Sequence, residues 1–265
     1  MRIVLAGDWH MNFRWAVDAI DATRKAGVRV MFHLGDFGLM GKDEHINAYL
    51  DTVSDALGDD VILKVTLGNH ENWDWVRQQK FVNGVAWVRP NIALFERGHK
   101  FTVGSRTFLS VSGASSIDFM QRIHGEDWWL GENITPEDAD AIIESLTPGE
   151  VDIMLCHDAP FGVPELDVEG ASSGWPLNAR RYTEASRAQL TRIFHVAMPT
   201  QLWHGHWHRR VRSVQNIHGV ETSFYGLDRE FTQENLAVLD VETLEVFKLN
   251  ILGEIMPPVG ASFGR

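Results

Sequence analysis

The sequence predicts an α/β fold organised on a parallel sheet. Two observations predict it. Apolar runs of strand length alternate with amphipathic helical patterns over residues 2–67, and polar residues gather where each apolar run ends. A strand–helix–strand order implies right-handed crossovers and therefore parallel strands. In such sheets ligands collect at the carboxyl ends of the strands.

Arg2 to Ala6 reads as a buried strand and ends in Gly7-Asp8-Trp9-His10. Residues two apart in extended chain point the same way, so Asp8 and His10 can grip one ion together. Asp8 also fits a helix N-cap, because a helical pattern follows from Phe13 to Ala26. Val28 to Leu34 is the second strand and ends in Gly35-Asp36-Phe37-Gly38; Glu44 to Leu57 is the second helix. Val61 to Leu67 is the third strand and runs into Gly68-Asn69-His70-Glu71. There glycine permits a sharp turn, Asn69 offers a neutral oxygen, and His70 an imidazole that titrates near neutrality.

A short helix is expected from Asn72 to Lys80. From Ala86 to Val111 the pattern shifts to short strands, around Ile92–Phe95, Lys100–Val103 and Arg106–Val111, which reads as a second, more antiparallel sheet. Residues 113–135 form a long segment of weak periodicity, a kind usually functional or mobile. Thr135 and Pro136 start a helix that runs to Leu146. Val151 to Cys156 is a strand ending in His157-Asp158, residues 159–178 form a Pro-, Gly- and Ser-rich loop, and Arg180 to His195 is a helix. Thr200 to Trp203 is a strand ending in His204-Gly205-His206-Trp207-His208, where His206 and His208 repeat the two-apart spacing. Val211–Val214, Thr222–Tyr225, Ala237–Asp240 and Glu245–Leu249 complete the strands. Residues 1–252 read as one domain and 253–265 as a C-terminal tail, flexible or available to a partner.

Composition narrows the function. The chain has 265 residues, 44% hydrophobic and 23% charged, as in soluble globular proteins, and is long enough for a sizeable core. Its net charge of −12 argues against a broad surface for polymeric nucleic acid, although bound cations can reverse the field locally for a small anion. The single cysteine, Cys156, excludes an intramolecular disulfide framework and reads as a buried small hydrophobe. No apolar run approaches a membrane span and no signal segment is evident, so a cytoplasmic protein is expected. Whether it forms a homo-oligomer is left open.

In order, the strand ends supply Asp-x-His, Gly-Asp, Gly-Asn-His-Glu, His and Gly-His-x-His. From residue 7 to residue 208 the chain resembles the calcineurin-like metallophosphoesterases, in a bacterial and phage-type branch. The resemblance implies a two-sheet β-sandwich of mixed sheets flanked by α-helices, holding two divalent ions. It implies that Asp8, His10, Asp36 and His208 hold the first ion and that Asp36, Asn69, His157 and His206 hold the second, with Asp36 bridging. A shared carboxylate offsets the repulsion of two cations about 3.5–4 Å apart. Imidazole, carboxylate and amide oxygen suit Mn, Fe or Zn better than Ca or Mg, and Mn2+ is the expected occupant.

The resemblance further implies hydrolysis of a small phosphoester by a metal-bridging hydroxide, with Asp36 and His70 as the catalytic residues. Asn69 and His70 would also touch the substrate. His70 would stabilise the developing charge or protonate the leaving group. Gly35-Asp36-Phe37-Gly38-Leu39 lacks the second Asp of many members and the Arg-Gly of phosphoprotein phosphatases, which argues against a protein phosphatase; His70 is compatible with diester cleavage, and the acidic, compact chain favours a phosphodiesterase for small diesters such as cyclic nucleotides. A phosphomonoesterase or protein phosphatase, a nuclease, and a metal-binding scaffold are the alternatives.

Some residues carry two readings. Arg122 either contacts a phosphate or pairs with Asp118. Trp128 and Trp129 either stack on a base or pack over the sheet. Asp158 either orients a metal-binding His or is a loop residue. Glu132 belongs to the same loop as Arg122, and His204 is the other histidine near the ligand set.

Overall fold

The computed structural model describes residues 1–167 and 174–257. Its strands are β1 (Arg2–Ala6), β2 (Val30–Leu34), β3 (Ile62–Thr66), β4 (Val85–Arg89), β5 (Ile92–Phe95), β6 (His99–Val103), β7 (Arg106–Val111), β8 (Ile153–Cys156), β9 (Gln201–His204), β10 (Val211–Ile217), β11 (Val220–Gly226), β12 (Ala237–Asp240) and β13 (Val246–Lys248). Its helices are α1 (Phe13–Lys25), α2 (Asp43–Leu57), α3 (Trp73–Arg77), α4 (Pro136–Ser145) and α5 (Leu177–Ala197).

The strands form two mixed sheets, ordered β13-β12-β1-β2-β3-β5-β4 and β10-β11-β9-β8-β7-β6. In the first, β1, β2, β3 and β5 run parallel, with antiparallel strands at both edges. In the second, β7, β8, β9 and β11 run parallel, and β6 and β10 are antiparallel edges.

Strand alternation builds the layers. Ile3 and Leu5 of β1, Phe32 and Leu34 of β2, and Ile153 and Leu155 of β8 meet between the sheets, with Phe108 and Trp203. Val4 and Ala6 face the other way, onto α1 and α2. Met154 and Cys156 face α4 and α5. Burial on both faces explains why the central strands read as continuous apolar runs. On α2 the buried residues Ile46, Tyr49, Leu50, Val53 and Leu57 follow the helical period of one covered stripe. Asn12 caps α1 by accepting from Trp15 N, and Thr135 and Asp138 close a capping box on α4. The N-cap of α1 is therefore Asn12; Asp8 is free for another role.

Three sequence expectations are corrected. Ile92–Phe95 belongs to the first sheet, beside β3, and not to the second. Val85–Arg89 forms an edge strand that the sequence pattern does not mark. The second sheet has a parallel centre, like the first. In each case the limit is the same: periodicity within a segment does not specify its neighbour, which is a tertiary choice. Residues 113–135 hold two short 3-10 turns, Phe119–Gln121 and Leu130–Glu132, and bury Ser115, Ser116, Trp129 and Glu132. Of the C-terminal tail, Ile255 pairs with Leu249 and leans on the first sheet's helical layer; residues 258–265 lie outside the described residues, as do 168–173 of the loop before α5.

Candidate metal centre

The carboxyl ends of β1, β2, β3, β8 and β9 open onto one place. Asp8, His10, Asp36 and His208 each offer a ligand atom within 4.8 Å of the others, and Asp36, His157 and His206 do the same. Asp36 belongs to both groups. Asn69 joins the second, with Oδ1 3.1 Å from His157 Nε2. All seven candidate ligands of the sequence reading thus come together.

The backbone is bent to achieve this. Asp8, His10, Asp36, His206 and His208 have φ between 46° and 66°, the left-handed region that costs a non-glycine residue energy. The loop after β1 is tied to the loop after β2: Asp8 N donates to Gly35 O at 2.9 Å, and His10 N to Asp36 O at 2.8 Å. Two glycines make room. A Cβ on Gly68 would sit 2.3 Å from Asp36 Oδ1, and one on Gly205 would sit 2.2 Å from Asp8 Oδ2.

Each ligand is also aimed. Asn69 N and His70 N donate to Asp36 Oδ1 at 3.0 and 2.8 Å. His206 N donates to Asp8 Oδ1 at 3.0 Å. His157 Nδ1 donates to Leu34 O at 2.6 Å, which leaves Nε2 facing Asp36 Oδ1 at 3.1 Å. His10 Nδ1 donates to Glu230 Oε2 at 2.9 Å, with Nε2 3.4 Å from Asp36 Oδ2. Outer hydrogen bonds of this kind fix the tautomer and orientation of metal-binding imidazoles.

The electrostatics match a cation site. Burial opposes the charge on His10, but Asp36, Asp8 and Glu230 outweigh it and raise its pKa to about 9. Burial likewise opposes the charge on His157, and Asp36, Asp8 and Glu71 raise it to about 10. Burial works against the Asp36 anion, yet His157 and His70 hold its pKa well below the usual carboxylate range. Burial lowers His206. The buried carboxylates recruit protons onto neighbouring rings, and a divalent ion would replace those protons. Carboxylate, imidazole and amide oxygen at these distances fit two divalent ions.

His70 stands beside the groups, its Nε2 3.9 Å from Asp36 Oδ2. Burial lowers its pKa, and Arg122 adds to the effect against the pull of Asp36. Arg122 makes the expected pair with Asp118 and also lies beside His70. Its Nε donates to Asp118 Oδ1 at 2.7 Å, and its terminal nitrogens lie 3.2 and 3.3 Å from the two ring nitrogens of His70. Asp158 aims no histidine. It accepts from Trp207 Nε1 at 2.9 Å and Ala159 N at 2.7 Å, which pins the indole between His206 and His208. Trp129 is buried core. Trp128 is half-buried and donates to Glu132 Oε1 at 3.0 Å. His204 is buried apart from the cluster, and burial pushes its pKa down to about 4.

Three contributors escape or are undervalued by the sequence reading. Glu230 holds His10 across 220 residues of chain. Buried Asn235 accepts from Trp9 Nε1 at 3.1 Å and Trp15 Nε1 at 2.7 Å and donates to Gly7 O at 2.6 Å, bracing the loop that carries Asp8 and His10. Glu71 accepts from Phe37 N at 2.7 Å and Gly68 N at 2.5 Å, lashing two ligand loops together. Of these, only Glu71 carries a local sequence signal, its place beside Asn69-His70.

A family model described as calcineurin-like phosphoesterase matches residues 1–210. No curated protein matches the chain. The solved structure of TT1561 of Thermus thermophilus is similar at 11% identity and a TM-score of 0.58, covering 94% of this chain and 98% of that one. GAP50 of Plasmodium, described as the anchor in the inner membrane complex, is similar at 11% identity and a TM-score of 0.52, covering 97% of this chain and 86% of that one. At such identity the two likenesses speak for the fold alone. No helix among the described residues is long and apolar enough to cross a membrane. The family match spans most of the chain, and the fold and strand-end residues agree with it: the chain belongs to the calcineurin-like phosphoesterase family.

Proposed function

We propose that residues 1–252 form a single two-ion phosphodiesterase domain acting on small phosphodiesters such as cyclic nucleotides. The observation that carries the reading is the place of Asp36 in both ligand groups. Asp8, His10, Asp36 and His208 would hold one ion; Asp36, Asn69, His157 and His206 would hold the other. Mn2+ is the preferred pair, with Fe or Zn as alternatives. When bound, the ions polarise the phosphoryl oxygens and supply an activated water.

The chain's own residues do the rest. The Asn69 and His70 main-chain amides hold the Asp36 carboxylate where it belongs to both ligand groups and would serve both ions. His70, whose pKa burial lowers, would donate a hydrogen bond to charge developing on the phosphoryl group or the leaving oxygen. Arg122, steadied by Asp118, supplies the positive charge next to it and meets a phosphate oxygen. The diester preference rests on the retained His70, and the preference for a small substrate on the net charge of −12. The lone cysteine, reduced and buried, fits a cytoplasmic site of action.

The test is Mn2+-dependent hydrolysis of bis-p-nitrophenyl phosphate beside p-nitrophenyl phosphate, with Asn69→Ala as control. Faster turnover of the diester, lost in the variant, is the expected result. Faster turnover of the monoester would replace the phosphodiesterase with a phosphomonoesterase, and no turnover of either would leave the proposal without support.

A further inference from the structure

A side-chain amide has two ends of nearly equal size, and only its oxygen can face a cation. Asn69 therefore needs something to choose its orientation. The choice is made in the wall formed by residues 113–135. Asn69 Nδ2 lies 3.0 Å from Ser116 Oγ, which lies 2.8 Å from Glu132 Oε2. Glu132 is fully buried, and its other oxygen is crowded with donors. Glu132 Oε1 accepts from Ser116 N at 2.7 Å, Tyr182 hydroxyl at 2.9 Å and Trp128 Nε1 at 3.0 Å. The Tyr182 oxygen itself accepts from Asn133 Nδ2 at 2.6 Å, so its one proton is committed to Glu132.

The direction of each hydrogen bond follows. Burial raises the Glu132 pKa to about 7 against the donors from Ser116, Tyr182 and Trp128 that favour its anion; in that ionised form it only accepts, so the Ser116 hydroxyl points its single proton at Oε2. Its lone pairs then face Asn69 and require an N–H. The amide nitrogen turns outward and Oδ1 turns inward, toward His157 and Asp36. We infer that Glu132, acting through Ser116, is the positioning residue that makes Asn69 an oxygen ligand of the second ion site. The inference rests on the two-ion reading above and extends it to a residue 63 positions away that touches neither ion nor substrate.

The relay has a polarity, and the polarity can be reversed without changing its shape. In Glu132→Gln the new oxygen must occupy the Oε1 position, where three donors converge. The new NH2 then occupies the Oε2 position and donates to Ser116. The hydroxyl proton swings toward Asn69, and the Asn69 amide flips its nitrogen into the ligand cluster. Ser116→Ala, by contrast, cuts the relay without reversing it.

The experiment measures Mn2+ binding to ion-free protein by calorimetry, with melting temperatures of the ion-free variants as a control for folding. Glu132→Gln is expected to weaken one of two Mn2+ equivalents by about 10- to 100-fold, the range seen for outer partners of metal ligands, and Ser116→Ala by less. The decisive comparison is the same change in an Asn69→Asp background. There both ends of the ligand are oxygens, so Glu132→Gln should cost nothing. Equal losses in both backgrounds, or no loss beside Asn69, would overturn the relay while leaving the two-ion site intact. Wild-type protein that binds no Mn2+ would overturn the two-ion reading and this inference with it.

Discussion

The two ligand groups share Asp36 but are built differently. The group of Asp8, His10 and His208 opens to solvent: the His208 side chain is 37% exposed, and His10 is aimed by Glu230, a residue of the loop between β11 and β12. The group of Asn69, His157 and His206 lies deeper. The His157 side chain is fully buried and aimed by a main-chain carbonyl of β2, and Asn69 by the Glu132 wall. A donor fixed by a buried strand has fewer ways to move than one held by a surface loop. The deeper group is therefore expected to keep its ion while the outer one exchanges, and chelation should remove one equivalent before the other.

The largest effect is expected for Asp36→Asn, which harms both groups at once. Because even outer partners are worth about 10- to 100-fold in affinity, loss of the shared carboxylate should exceed about 100-fold for both ions, read by metal content after dialysis. Next comes His70→Ala. It should lower kcat by about 10²- to 10⁴-fold with metal content unchanged, because in the proposed mechanism the ring serves the substrate and His70 belongs to neither ligand group. Glu230→Gln should separate the groups: about 10-fold weaker binding of the exchangeable ion and no change in the retained one, by stepwise calorimetry.

The smallest effect is a pH dependence. In the ion-free protein His10 and His157 have pKa values raised to about 9 and about 10, above the value near 6.5 of an unfolded chain. Their protonation stabilises the ion-free fold fully below pH about 6.5, and that contribution is lost as pH rises through about 9 and 10. Ions require the unprotonated rings, so their affinity should rise across the same window. Melting curves with and without chelator between pH 6.5 and 10 should diverge as pH increases. Parallel curves would mean that the two rings do not meet the ions.

The inner part of the site is legible in the sequence because each ligand sits directly after an apolar run, and strands deliver their ends to one edge of a sheet. Asp8, His10, Asp36, Asn69, His157, His206 and His208 all carry that local mark. What aims them does not. Glu230, Asn235 and the Glu132–Ser116 pair act across 220, 228, and 63 or 47 positions from His10, Gly7 and Asn69, and nothing in their immediate neighbours announces it. The same limit misplaces β5. Ile92–Phe95 is apolar on both faces, as a strand beside β3 or in the second sheet would equally be. The helices read well because caps and covered stripes, such as Thr135 with Asp138 or Ile46 through Leu57, are written within a few turns.

Whether Asp36 joins two ions is decided by a titration of Mn2+ into ion-free protein, following bound metal and diester hydrolysis together, for wild type and Asp36→Asn. The expected result is two equivalents in the wild type, with turnover appearing only as the second fills, and neither tight binding nor turnover in the variant. Full activity at one equivalent, or an active Asp36→Asn protein, would contradict it.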